Sequence, residues 1–189
     1  MVASDELFQP DDLAQWHDWL AAHHQGREGV WVVRWRSATG RPTLGYEDLV
    51  REALCWGWID GQTRVIDDER TGQWMAPRKP GSTWAATHKA RLLDLEQQGR
   101  MQPAGRALIE QAKADGSWTL LDSVDALQEP DGLAAALDAV PAARAAWDGF
   151  PPSVRKQGLG MIAIAKRPQT KAARIAAIVA KAARGERPA

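Results

Sequence analysis

Every strand-like pattern in this sequence lies before residue 77, and from Ser82 almost to the end the pattern is helical. That segregation constrains the fold most. A doubly wound α/β protein alternates strands and helices along its whole length, so this order points to an α+β chain instead. The expectation is a small antiparallel β-sheet with helices in the N-terminal part, residues 1–116, a linker at 117–130, and an all-helical, basic C-terminal region at 131–189.

The local signals are specific. Residues 10–26 read as a helix with Leu13, Trp16, Leu20 and His23 on one stripe, opened by Pro10-Asp11-Asp12 and stopped by Gly26. Val30 to Arg36 alternates, with Trp31, Val33 and Trp35 on one face, which predicts a strand with one buried face. A helix follows from Tyr46 to about Gly57, with Glu47 and Asp48 favoured in its first turn by the helix dipole. Gln62–Ile66 and Gln73–Ala76 read as a hairpin around the polar turn 67–72. Beyond that, Ser82 is placed to cap a helix reaching Gln98, and Pro103 starts another that ends at Gly116. Short helices near 131–139 and 141–149, then 151–166 and 168–185, are each introduced by a proline or follow one.

The charge is balanced, 24 Lys plus Arg against 24 Asp plus Glu, but it is not evenly spread. Residues 150–189 hold nine Lys/Arg and one acid, Glu186, so residues 1–149 carry fifteen basic and twenty-three acidic side chains. This favours docking of the basic helices on the acidic body. The alternative is a nucleic-acid or anion site built from Arg155, Lys156, Lys166, Arg167, Lys171, Arg174 and Lys181. Nucleic acid is the less favoured partner, because few aromatics interleave with these cations as a stacking platform needs.

Several classes are excluded or disfavoured. One cysteine, Cys55, makes no intramolecular disulfide, and no apolar run approaches the roughly 18 residues of a membrane span. The start, MVASDELFQP, shows no basic and apolar leader pattern, so a cytoplasmic location is expected. His17, His23, His24 and His88 show no metal-ligand spacing, and neither a metal nor a cofactor is expected.

Two strings stand out. In ALCWGWIDG (53–61) two Trp flank a Gly at a helix end, with Asp60 close to the indoles. The structural reading is a turn into the hairpin. The chemical one is an Asp60 carboxyl whose pKa is raised by partial desolvation. Cys55 reads as a small core residue rather than a nucleophile. In MAPRKPGSTWA (75–85) Arg78 and Lys79 precede a helix start, an arrangement that holds anions. Trp56, Trp58, Trp74 and Trp84 fall around these two strings and either line a pocket or fill the joint between sheet and helices.

These residues also carry a family resemblance. GVWVVRWR (29–36), LGYEDLVREALCWGWIDGQTRVID (44–67), APRKPGSTWA (76–85), GRMQPAG (99–105) and PPSVRKQGLGMIAIAKRPQTKAARI (151–175) resemble the YdeI/OmpD-associated proteins of bacteria, described as bacteriocin-protection proteins. The chain departs from that pattern at Ala85 to His88, where the family shows Ser-x-x-Asn, and at Thr170-Lys171-Ala172-Ala173-Arg174, where Lys171 replaces an arginine. The resemblance implies a role in withstanding bacteriocins, antimicrobial peptides or envelope stress, and brings no catalytic site with it. The expected function is therefore non-enzymatic binding of a small ligand or peptide at Trp56, Trp58, Asp60, Arg78, Lys79, Ser82 and Trp84. An enzyme using Asp60 or Cys55 is the remaining alternative.

Overall fold

The structure is a computed structural model that describes residues 6–188. It is α+β, with all its strands in the first half and helices throughout the second. Two compact units are present: residues 6–82 with 87–115, and residues 83–86 with 116–188.

The first unit is built on a four-stranded sheet ordered β1-β2-β4-β3, from β1 (Leu7–Phe8), β2 (Val30–Trp35), β3 (Trp58–Val65) and β4 (Arg70–Pro77). The pairs β2–β4 and β3–β4 are antiparallel, as expected, whereas the two-residue edge strand β1 runs parallel to β2. Its helices are α1 (Leu13–His23), α2 (Tyr46–Cys55), α3 (Ala86–Gln97, in this unit from Thr87) and α4 (Pro103–Ala114). Asp12 caps α1 by accepting from the Gln15 N–H at 2.9 Å.

Strand β2 departs from its reading as a strand with one buried face, for Val30, Val32, Trp31 and Val33 are all buried. The alternation itself is present, but both faces are covered. Val30 and Val32 are in register with Met75 and Gln73 on the side that carries the fully buried Met75. On the opposite side, Trp31 packs against its register partner Trp74 at 5.3 Å between ring centroids. The Arg64 guanidinium lies over Trp31 at 4.1 Å. Long side chains of the sheet itself thus shield the second face, a covering that a two-residue period does not reveal.

Gly105 sets the spacing of α2 and α4. A Cβ there would stand 2.3 Å from the Cys55 carbonyl oxygen, so only glycine lets the α4 backbone approach this closely. At the end of α2, Gly57 takes φ +78° and turns the chain into β3, and its carbonyl accepts from the Arg78 N–H at 3.0 Å.

The second unit contains α5 (Asp122–Asp125), α6 (Asp131–Asp138), α7 (Pro141–Gly149), α8 (Pro152–Ala163) and α9 (Pro168–Ala182). Leu133, Leu137, Trp147, Leu159, Ile162 and Ile178 form its core. The segment 117–130, expected as a linker, holds α5 and buries Val124 in this core. Ser82 does not cap the helix expected there. Its N–H closes a turn onto the Lys79 carbonyl, and α3 starts later, with the Ala86 N–H donating to the Asp125 carboxylate at 2.9 Å. Pro77 and Pro80 hold the intervening backbone away from helical geometry.

Candidate functional site

The residues marked on the two Trp-containing strings have different surroundings. Trp58 is a core residue, 1% exposed, whose indole N–H donates to the His24 carbonyl and whose ring meets Trp19 edge-on. Trp56 is half-buried, and its N–H donates to Glu52 at 3.2 Å. Glu52 is itself buried and pairs with Arg100 at 2.8 Å and with the His17 ring at 2.7 Å. Trp84 belongs to the second unit, buried against Trp118 at 5.2 Å. Lys79 is exposed and Ser82 half-buried in the turn. Nearness to the two strings groups these indoles in the sequence, but three different cores and networks absorb Trp56, Trp58 and Trp84.

Asp60 and Arg78 do come together, with partners that the sequence reading did not single out. Asp60 lies on β3 beside an irregularity in the pairing with β4 between Asp60 and Thr63. The buried Gln73 stabilises that irregularity by donating to the carbonyls of Gly61 and Gln62 at 2.9 and 3.3 Å while accepting from the Thr63 hydroxyl. Tyr46, at the start of α2, donates its phenolic hydrogen to Asp60 Oδ2 at 2.6 Å. Burial, and then this bond and the Asp60 charge, push the Tyr46 pKa up to about 12.

Arg78, 5% exposed, feels the Asp60 charge, yet burial outweighs it and brings the guanidinium down to about 10. Arg78 stays cationic at neutral pH. His88, one turn before Arg91 on α3, has its pKa lowered by burial and then by the charges of Arg78 and Arg91, so its neutral form is favoured. Its Nδ1 is buried without a hydrogen-bond partner. Arg91 itself grips Glu47 with two bonds of 2.8 and 2.7 Å. The Arg34 guanidinium stands 5.9 Å from the Tyr46 ring centroid.

Arg78 also lines a groove of about 550 Å³ at the exit of β4, together with Arg27, Glu28, Trp74, Pro77 and Lys79. An indole and prolines offer apolar surface there, Lys79 an exposed cation and Glu28 an exposed carboxylate, in a volume of small-molecule size. The signal for His88 and Arg91 was their one-turn spacing after the second Trp-containing string. Tyr46 enters the sequence reading only as the start of its helix.

The other chemical candidates lead elsewhere. Cys55 is buried, its thiol donates to the Arg51 carbonyl at 3.3 Å, and burial next to the Glu52 charge pushes its pKa up to about 12. A thiol held protonated in this way is a poor nucleophile. Among the described residues no group of three or more His, Cys, Asp or Glu converges on a metal position, and no helix is long and apolar enough to cross a membrane. Of the seven C-terminal cations, four bond within the second unit. Lys156 pairs with Asp125 at 3.1 Å, Arg155 with Glu129 at 3.6 Å, and Arg174 and Lys181 donate to the carbonyls of Met161 and Pro188. Lys166, Arg167 and Lys171 are exposed.

Comparison with known families divides the chain as the fold does. A family model described as Domain of unknown function (DUF8412) matches residues 8–108, more than half of the chain. One described as Bacteriocin-protection, YdeI or OmpD-Associated matches residues 126–185. The resemblance to the latter family therefore rests on the C-terminal helices, while the strings between 29 and 105 fall within the former match. No curated protein and no solved structure matches the chain.

Proposed function

We propose that this chain, which belongs to the family described as Domain of unknown function (DUF8412), is a non-enzymatic binding protein that helps a bacterium withstand bacteriocins or envelope stress. The physiological part of this reading draws on the match of residues 126–185 to the bacteriocin-protection family. The molecular part draws on one observation: the groove of about 550 Å³ that joins Trp74 and exposed Lys79 to the Arg78–Asp60–Tyr46 cluster. Its ligand is anionic, a small molecule or an acidic peptide segment, with Lys79 and Arg78 facing the charge and Trp74 the apolar part.

Binding rather than catalysis is supported by what the polar groups already do. Asp60 is engaged by the Tyr46 hydroxyl and lies near the Arg78 charge, and the Cys55 thiol is held neutral in the core. The nucleic-acid alternative has less to draw on, since four of its seven proposed cations are bonded inside the second unit.

The test is a fluorescence and calorimetric titration of the full chain with pyrophosphate, an acidic hexapeptide and a cationic bacteriocin peptide. The same variants are scored for survival under bacteriocin challenge. Binding of an anionic probe that Lys79→Glu weakens about tenfold, with loss of protection, supports the reading. Preference for the cationic peptide, or unchanged binding and survival in Lys79→Glu and Trp74→Phe, overturns it.

A further inference from the structure

A second cavity lies wholly within the helical unit and has no part in the function proposed above. It is a partly open cleft of about 340 Å³ between α5, the 126–130 turn, α8 and the first turn of α9. That is within the range of ordinary small-molecule sites. Its apolar floor is formed by the buried core residues Val124, Leu159 and Ile162 and its apolar edge by Leu120, which is 39% exposed, while Ser123 and Gln128 add polar lining.

Two lining residues carry charge, and only one of them is available. Glu129 is held in a network of its own: Trp147 donates its indole N–H to Oε1 at 2.8 Å, and Arg144 Nη1 reaches both oxygens, at 3.1 and 2.9 Å. Arg155 approaches at 3.6 Å, so the Glu129 charge is compensated from the core side. Lys171, one turn into α9, is exposed and has no ion pair among the described residues. The partial positive charge of the α9 N-terminus adds to that of its ammonium group.

The backbone that shapes the turn is itself unusual. Leu127 takes φ +56°, the one non-glycine residue with positive φ among the described residues. It occupies the position after α5 where glycine is usual, with the Gln128 N–H donating to Ser123 and the Leu127 N–H to Val124. A leucine there is sterically disfavoured, and packing of its side chain against the core offsets this. The turn brings Gln128 and Glu129 to the lining of the cleft.

We propose that this cavity binds an amphiphilic anion, with an aliphatic chain on Leu120, Val124, Leu159 and Ile162 and a carboxylate at the mouth against Lys171. An apolar wall with one uncompensated cation selects against both purely polar anions and amphiphilic cations.

Calorimetric titration of the full chain with octanoate tests this, with acetate, inorganic phosphate and octylamine as comparison probes. Octanoate binds at one saturable site, and the three others bind at least tenfold more weakly. Ala163→Trp, which fills the cavity, abolishes octanoate binding. Lys171→Glu, an exposed position that leaves the core intact, weakens it at least tenfold and raises octylamine affinity. The proposal is overturned if octanoate shows no saturable binding, if octylamine or phosphate binds as well as octanoate, or if Lys171→Glu changes octanoate affinity less than twofold in a protein with the parental melting temperature.

Discussion

The Tyr46 hydroxyl donates to the Asp60 carboxylate across 2.6 Å, joining the first turn of α2 to β3. Burial raises the Tyr46 pKa first, and this bond and the Asp60 charge raise it further; the same charge partly offsets the burial that lowers those of Arg78 and His88.

Because Tyr46 is the only tyrosine in the chain, tyrosinate absorbance reports on it alone. Alkaline titration of the folded protein gives a midpoint of about 12, and Asp60→Asn lowers that midpoint. The folded pKa lies above the unfolded value of about 10, so the Tyr46 contribution to stability is complete below pH 10 and lost between pH 10 and about 12. Tyr46→Phe removes that slope. Since the side chain is 41% exposed, its cost at pH 7 is about 1 kcal/mol rather than the 1.5–3 of a buried charged bond.

His88 responds to the same variant in the same direction. Its pKa is lowered by burial first and by Arg78 and Arg91 next, against an opposing effect of Asp60. Its contribution to stability is therefore complete above about pH 6.5 and declines as pH falls below that value. NMR titration of the His88 ring in Asp60→Asn shows a midpoint below that of the parent. A rise would mean that the Asp60 charge does not reach this ring.

Thiol labelling checks the packing of Cys55. With the thiol buried and its pKa near 12, the folded protein reacts with a disulfide reagent at pH 8 at least a hundredfold more slowly than the protein in denaturant. Fast labelling of the folded chain would contradict a core role.

Gly105→Ala separates helix propensity from packing. In a free helix this change stabilises by roughly 0.5–1 kcal/mol. Here the new Cβ meets the Cys55 carbonyl oxygen at 2.3 Å, a backbone atom that does not yield without moving α2. Denaturant unfolding of the variant shows a net loss of about 1–3 kcal/mol.

In the second unit, Glu129→Ala leaves the Trp147 indole and the Arg144 and Arg155 guanidiniums without their shared acceptor. Glu129 is only 15% exposed, so the loss is about 3 kcal/mol, read as a lower midpoint in chemical denaturation. Glu129→Gln, which keeps the acceptor oxygen but not the charge, costs less.

The sequence by itself determined the order of elements. Val30 to Trp35 alternates as a strand must, Gly57 ends a helix with a left-handed residue, and Pro103, Pro141, Pro152 and Pro168 each begin one. These are local properties, set by backbone sterics and by periodicity over a few residues, so they are legible without any tertiary contact. The start of α3 escaped that reading because its cap, Asp125, comes from 39 residues away.

Only the tertiary structure decided which marked residues share a site. Trp56, Trp58, Trp74 and Trp84 carry the same side chain, but each packs against different neighbours, Trp58 and Trp84 buried and Trp56 and Trp74 half-buried, and Trp84 lies in the other unit. Asp60 and Arg78 were singled out from their strings, whereas Tyr46, His88 and Arg91 join them through pairing of β3 with β4 and the placement of α2 and α3. The electrostatics followed the same rule. A pKa depends on how much water is removed and which charges lie within a few ångströms, and neither quantity exists until distant segments of the chain have packed.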